Sequence, residues 1–446
     1  MIFSNYRKLA TSPLRKKILT WVCGGIESVL PSAFMPKTVY FDGNTLSVGT
    51  KKFLISGRRI FVIGAGKASA AMGVALEKII GEEQIIDGVI VTNDTRFRPH
   101  KIHICQGTHP FPSQKGVSGA KKILSLKTKY NINENDVIIA LLSGGGSSLL
   151  PYPADGITLA DKQAVTKMLV QSGANVHEMT IVKKKLSRVK GGKLARHFYP
   201  TPLVSLVLSD VVGNNLEVIA SGPFAKDDST HRDALQILKQ YRLYDKVPHS
   251  VLLLLNSQEG GTRGEEGTLE HVYQRVLADN NTALSVVASQ AQKAGVQTYV
   301  ECNIQGEAKL VARKLLCEAL KKKIKKPTLF LYGGETTVTL PEKHGRGGRN
   351  QEFALACLEY LEKNPTNHKW CAASVGTDGV DFIDESTGGI VDGESLRIAK
   401  EKKLDLAAYL ERHDSHTLLK KINSNIYVKG TTGTNVCDIM MLALSP

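Results

Sequence analysis

Through the first half of the chain, short runs of β-branched and aliphatic residues, RIFVIG, DGVIVT, KIHIC, DVIIALL and LVSLVLS, alternate with helix-patterned segments such as KASAAMGVALEKII. Strands this apolar are buried on both faces, and the helices between them supply the crossovers that parallel pairing requires. A parallel sheet with helices on both faces follows. A polar, glycine-rich stretch, 256–271, breaks the alternation and reads as a linker or exposed loop. Beyond it come TALSVVAS, VQTYVEC, TLFLYGG, ETTVTL, CAASVGTDG and NIYVKG, with helices such as EAKLVARKLLCEALKK between them. The expected organisation is an α/β protein of two domains: 1–255 with the parallel sheet, the connection 256–271, and a smaller carboxyl-terminal α/β domain over 272–446. Ligands of such proteins sit where the carboxyl ends of strands face the cleft between domains.

With 446 residues, 42% of them hydrophobic, the chain can fill two cores. Its 58 basic and 42 acidic side chains leave a formal charge of +16, which suits nucleic acid, an anionic membrane or a small anionic substrate alike. The densest basic runs, Lys183–Lys185 and Lys321–Lys326, lack the interleaved aromatics of a single-strand binding platform and are expected to be solvated helix faces. Seven scattered cysteines without a CxxC pair argue against a disulfide framework and a zinc site, and for a reducing compartment. No apolar run reaches the roughly 20 residues of a membrane helix. Arg7, Lys8, Arg15, Lys16 and Lys17 would suit a mitochondrial presequence, but the periodic ILTWVCGGIESVL begins almost at once, so a structural first helix is expected. The reading is of a soluble, cytoplasmic protein, a mitochondrial location being the alternative, that binds neither nucleic acid nor membranes.

Five glycine-rich turns follow strand-like runs: GAGKAS (64–69), SGGGSS (143–148), SDVVGNN (209–215), GGETTV (333–338) and GTDG (376–379). Glycine lets backbone amides approach a phosphate closely, and a helix beginning after the turn adds its dipole. GAGKAS, with Gly64 and Gly66, is a poor dinucleotide fingerprint because Ser69 replaces the third glycine, but it offers Lys67 as a charge for phosphate oxygens. In SGGGSS, Gly144, Gly145 and Gly146 between Ser143 and the pair Ser147 and Ser148 are costly unless something approaches the backbone, and phosphate cradling explains them better than a nucleophile elbow. GRGGRNQE places Arg346, Arg349, Asn350, Gln351 and Glu352 on a loop entering a helix, where a guanidinium can face a transferring phosphoryl group. Asp210, Glu335 and Asp378, each beside glycine at a strand end, are the acids that could hold magnesium or activate a hydroxyl, with helix capping as their structural alternative.

Taken in order, GAGKAS, GTHP, SGGGSS, LSRVKGGKLA, SDVVGNNLEVIASGP, GGETTVT, GRGGRNQE, GTDG and TGTN resemble the class II glycerate kinases, whose carboxyl-terminal part is called the MOFRL domain. The resemblance spans nearly the whole chain. It implies a Rossmann-like amino-terminal domain and ATP-dependent phosphorylation of D-glycerate, usually to 2-phosphoglycerate, by a monomer or homodimer whose partners are those small molecules. Lys67, Asp210, Glu335, Arg346, Asp378 and Asn435 match positions that the family uses in or near its cleft. Lys67 and Arg346 are expected to meet transition-state charge, Asp210, Glu335 and Asp378 to bind Mg2+ or activate the hydroxyl, and the SGGGSS amides, Asn350, Thr432 and Asn435 to contact nucleotide or substrate.

Three departures from the family pattern stand out: Asn214 in place of the acid of SDVVGD, Ser113 in place of the acid after HPxP, and Phe382-Ile383 in place of a glycine-proline turn after GTDGxD. Loss of a carboxylate near a magnesium-phosphate site weakens metal affinity or moves the metal to other ligands. The alternatives are therefore a weakly active or non-enzymatic homologue that binds anions, and a nicotinamide-dependent hydroxypyruvate reductase. The reductase needs a ribose-binding acid about 20 residues beyond the glycine turn, a place that only Asp87 approaches.

Overall fold

A computed structural model describes residues 2–257, 269–382 and 386–446. Most of the 256–271 connection, and Ile383, lie outside the described residues. The chain divides into two compact units, Phe34–Leu277 and Met1–Ala33 with Ala278–Pro446.

The unit Phe34–Leu277 begins with an antiparallel meander, β1 (Val39–Phe41), β2 (Thr45–Val48) and β3 (Lys51–Leu54). Its main sheet comprises β4 (Ile60–Ala65), β5 (Ile85–Thr92), β6 (Ile102–Gln106), β7 (Val137–Leu142), β8 (Leu203–Leu208) and β9 (Val272–Ala278), in the spatial order β6-β5-β4-β7-β8-β9. The pairs β5/β6, β4/β5, β4/β7 and β7/β8 are all parallel. Every residue of β4, β7 and β8 is buried, which is why these strands read as unbroken apolar runs. From β4 the order runs outward in both directions, so the crossovers leave on opposite faces and a crevice opens between the carboxyl ends of β4 and β7. The two turns that end there are GAGKAS and SGGGSS.

One basic run departs from expectation. Lys184 and Lys185, at the end of the helix Val176–Lys185, are not on a solvated face: they are 3% and 7% exposed. Both pair with the buried Asp227, at 3.4 and 2.8 Å, because the last turn of this helix folds under the loop carrying that acid. Lys321–Lys326 remains largely exposed.

The second unit is built on a mixed sheet of β10 (Gln297–Glu307), β11 (Thr328–Thr337), β12 (Lys369–Gly376), β13 (Ser386–Asp392), β14 (Asn425–Tyr427) and β15 (Asp438–Ser445), ordered β10-β11-β15-β12-β13-β14. Only β10/β11 is parallel; the other pairs run antiparallel. TLFLYGG and ETTVTL prove to be one strand, β11. TALSVVAS is not a strand but lies in the helix Asn280–Lys293, where Ala283, Leu284, Val287, Ala288 and Ala291 recur at helical spacing on the buried side. Asp279 caps that helix by accepting the Thr282 N–H at 2.9 Å. The helix Pro13–Ser28, which carries the periodic segment near the amino terminus, belongs to this unit. Its Arg15 is 4% exposed, pairs with Asp392 at 2.9 Å and donates to Ser395, Ser424 and the Ile390 carbonyl, so that residue of the basic amino terminus is a core group. No single described helix is long and apolar enough to cross a membrane.

Candidate functional site

In the first unit the glycine turns after β4 and β7 lock into each other. The Lys67 N–H donates to Gly144 O at 2.8 Å, the Ser143 N–H to Ala65 O at 3.2 Å, and the Ser143 hydroxyl accepts the Ala68 N–H at 2.9 Å. Gly66 sits at φ 149°, where an added Cβ would lie 2.1 Å from Ser143 Oγ. Gly64, within β4, lies as close to β7: its Cβ would meet Leu141 O at 2.6 Å. At Gly145, φ 80°, the nearest neighbours are His109 and the Lys67 side chain; at Gly146 they are Ala220 and Ala65. The Ser148 hydroxyl donates to Pro110 O at 2.7 Å, and Ser147 and Ser221 share a hydroxyl hydrogen bond of 2.9 Å. The structure thus gathers GAGKAS, the GTHP segment, SGGGSS and the IASG turn at one place. The helix Ser69–Ile80 starts directly behind Lys67, so a phosphate here would meet backbone amides, hydroxyls, a lysine and a helix dipole together.

Asp210 follows β8, the neighbour of β7, and so stands on the same carboxyl edge of the sheet. The loop after it is unusual. Gly213 and Asn214 are left-handed (φ 80° and 56°), as are Ala220, Ser221 and Gly222 (φ 52°, 62° and 61°). Consecutive non-glycine residues in that region cost energy that the surroundings must supply, a pattern common at functional sites. Asp87, which a nicotinamide reading would require at a ribose, lies near the start of β5, at the opposite end of the sheet from the glycine turns, and is bound by Lys129 and Tyr130 at 2.9 and 2.8 Å.

Behind the SGGGSS turn lies a residue that the motif reading passed over within LSRVKGG. Lys190 is 2% exposed and its Nζ donates to Ser147 O at 2.7 Å and to Ser147 Oγ at 3.2 Å. Burial, reinforced by Lys162 and Lys183, holds it well below the ordinary lysine value.

In the second unit Glu335 lies near the end of β11 and pairs with Arg349 at 2.9 Å. Arg349 in turn makes a forked bond to the fully buried Asp438, at 2.7 and 3.0 Å. Burial opposes the guanidinium charge, but Asp438 and Glu335 hold its pKa above the usual arginine value. Asn350 donates to Asp438 at 3.0 Å and accepts from Ser374 at 2.5 Å. Asp381 caps the helix Arg349–Lys363 through the Asn350 and Gln351 N–H groups; burial nevertheless raises it to about 6. Asp378 turns its carboxylate onto the Val380 N–H, while its carbonyl accepts from Thr432 N–H. The Thr432 hydroxyl donates to Thr377 O at 2.6 Å, and Asn435 Oδ1 accepts the Cys437 N–H at 3.4 Å. Glu335, Asn350, Arg349 and Asp438 therefore form one network, and Asp378 and Thr432 form a second, adjoining pair of loops. Arg346 lies on the glycine loop before the helix, exposed, its backbone fixed by Asp414 and His416. The guanidinium that meets Glu335 is that of Arg349. Asp438 escaped the sequence reading because β15 was not recognised.

Among the described residues, no three or more acidic, histidine or cysteine side chains come together in a way that could hold a metal ion. Glu335 pairs with Arg349, and the Asp378 carboxylate accepts the Val380 N–H. A metal that takes most of its ligands from phosphate and water, as magnesium does, asks for few protein carboxylates.

Residues 18–256 match a family described as a domain of unknown function (DUF4147), and residues 328–438 match the MOFRL family. The chain is 37% identical over 440 residues to the glycerate 2-kinase of Pyrococcus horikoshii, covering 96% of this chain and 97% of that one. It is 39% identical over 394 residues to an Agrobacterium vitis protein bearing a hydroxypyruvate reductase name, covering 86% of this chain and 99% of the other. A crystal structure of glycerate kinase from Thermotoga maritima is similar with a TM-score of 0.82 at 32% identity, over 97% of this chain and 99% of that chain.

Proposed function

The chain belongs to the class II glycerate kinase family, and from that premise we propose that it transfers the γ-phosphoryl group of ATP to D-glycerate, giving 2-phosphoglycerate and ADP. The observation that carries this reading is the meeting of GAGKAS and SGGGSS at the switch point of the β6-β5-β4-β7-β8-β9 sheet. In the transfer, the C2 hydroxyl oxygen bonds to the γ-phosphorus as the bond to the ADP oxygen breaks. Such a step asks for positioning and charge neutralisation rather than covalent help.

Lys67 and the SGGGSS turn hold phosphate oxygens, the lysine as a mobile charge and the turn through amides and hydroxyls. Asp210 is the carboxylate assigned to Mg2+, which when bound neutralises phosphate charge. In the second unit, Arg346 is assigned to charge on the transferring group and Asp378 to the substrate hydroxyl. Asn350, Thr432 and Asn435 are assigned to nucleotide or substrate contacts, and Glu335 to fixing Arg349. A cytoplasmic location is part of this proposal.

The test is to incubate the protein with magnesium, ATP and D-glycerate, quantify ADP, and identify the phosphoglycerate isomer by NMR. ADP release that depends on D-glycerate and yields the 2-phospho isomer supports the reading. NADH or NADPH oxidation with hydroxypyruvate, without any ADP formation, overturns it in favour of the reductase, a reading that the misplaced Asp87 opposes.

A further inference from the structure

Lys162, Lys184, Lys185 and Lys190 are all buried in the first unit. Lys184 and Lys185 share Asp227, and Lys184 also lies 3.8 Å from Glu217. Among the described residues, Lys162 and Lys190, 6% and 2% exposed, reach carbonyl and hydroxyl oxygens: Lys162 donates to Leu186 O at 2.7 Å, and Lys190 to Ser147 O, Ser147 Oγ and, at 3.5 Å, Ala220 O. A buried lysine without a carboxylate partner is expensive to keep, and its retention needs a reason. Lys190 has a particular place. It ties the SGGGSS turn to Ala220, the first of three successive left-handed residues, whose neighbour Ser221 bonds the Ser147 hydroxyl.

A hydroxyl has one hydrogen to give and two lone pairs to accept with. Lys190 Nζ donates to Ser147 Oγ at 3.2 Å and so fills one of its lone pairs. The hydroxyl of Ser221, a residue 2% exposed, can fill the other. Ser147 itself is only partly buried, and its one hydrogen is then directed to the open side of the turn. We infer that Lys190 is a positioning residue for an oxyanion site: its Nζ, held against the Ser147 hydroxyl, turns that hydroxyl outward to donate to a carboxylate or phosphate oxygen of a small anionic substrate. The left-handed Ala220–Gly222 turn is the strained element that keeps Ser221 and the Ala220 carbonyl in place for this arrangement.

The inference rests on the kinase reading for its kinetic readout and is given a second readout that does not. Ser147→Ala, Lys190→Met, Lys190→Arg and the double variant Ser147→Ala/Lys190→Met are compared with the parent protein in KM for ATP, KM for D-glycerate and kcat. Because a hydrogen bond to a charged group is at stake, Ser147→Ala and Lys190→Met should each raise KM for the same substrate by about tenfold or more. The double variant should be no worse than the worse single one, since Lys190 acts through Ser147. Lys190→Arg, which retains a donor, should recover part of the loss. The substrate whose KM moves, ATP or D-glycerate, identifies the phosphate or the carboxylate as the ligand.

Losses that multiply in the double variant, or an unchanged KM in Ser147→Ala, overturn the inference; the latter variant decides even if Lys190→Met does not fold. Should the parent protein fail to phosphorylate glycerate, the kinase reading falls, and thermal protection by ADP, inorganic phosphate or D-glycerate still decides this one. Protection of the parent that is lost in Ser147→Ala supports it. Equal protection in both proteins, or none in the parent, overturns it.

Discussion

Replacing Gly66 by alanine tests whether the two glycine turns are an interlocked unit. Gly66 lies at φ 149°, and an added Cβ would be 2.1 Å from Ser143 Oγ and 2.6 Å from the Ser143 carbonyl oxygen. Rotating the serine away relieves only the first contact, because the carbonyl belongs to the backbone of the other turn. The turns must therefore separate by roughly 0.5–1 Å to restore ordinary contact. That movement breaks the buried Ala68 N–H bond to Ser143 Oγ, worth about 1–3 kcal/mol, and the unfavourable φ adds about 1–3 kcal/mol. The expected loss is about 3 kcal/mol, a fall in Tm of roughly 6–12 °C. Displacement of the phosphate-binding amides should also raise KM for ATP by about tenfold or more. Urea and thermal unfolding followed by circular dichroism, with steady-state kinetics on the folded fraction, measure both effects. Gly57→Ala is the control, since Gly57 also has positive φ (72°) but no neighbour within 4 Å, so it bears the backbone cost without the clash. Equal stability losses in the two variants, or an unaltered KM in Gly66→Ala, would refute the interlock.

Arg15→Met should destabilise the protein by about 3–5 kcal/mol in urea unfolding, because it leaves Asp392 buried without its partner; stability equal to the parent would show that the pair contributes nothing. Lys162→Met should be more stable at pH 7. Burial, with help from Lys193 and Lys183, pushes Lys162 down from 10.5 to about 7, so the cost of its charge is absent above pH 10.5, grows as pH falls and is complete near pH 7. The upper bound is about 5 kcal/mol, less about 1 kcal/mol for the lost bond to Leu186 O; a gain of equal size at pH 7 and pH 10.5 in urea unfolding would contradict this account. Asn214→Asp should leave the magnesium titration of initial rate unmoved, since Asn214 is left-handed (φ 56°) with its N–H on Val211 O and reads as a turn residue. A titration shifted to lower magnesium would instead make position 214 part of the metal site.

Much of the first sheet was legible because its information is local. A strand buried on both faces must be apolar throughout, so β4, β5, β7 and β8 announce themselves as continuous runs, and the glycines that end β4 and β7 are required by backbone approach within a few residues. The order in which those strands pair is not local. That GAGKAS and SGGGSS meet, although almost 80 residues apart, follows from β4 lying between β5 and β7.

In the second unit the local signal was weaker and tertiary context prevailed. TALSVVAS has the composition of a strand, but Asp279 caps it and the hydrophobic face of a helix was available, so the helical period won. β15 enters the middle of its sheet from the end of the chain, pairing with β11 and β12, and with it comes Asp438, the acid on which Arg349 and Asn350 converge. The lysines show the same division from the side of charge. Residue type and spacing establish that Lys162, Lys184, Lys185 and Lys190 are basic groups on helices or a glycine loop. Whether such a group faces water, an acid or a serine hydroxyl depends on which segment folds over it, and desolvation energy is a property of the packed environment rather than of the residue.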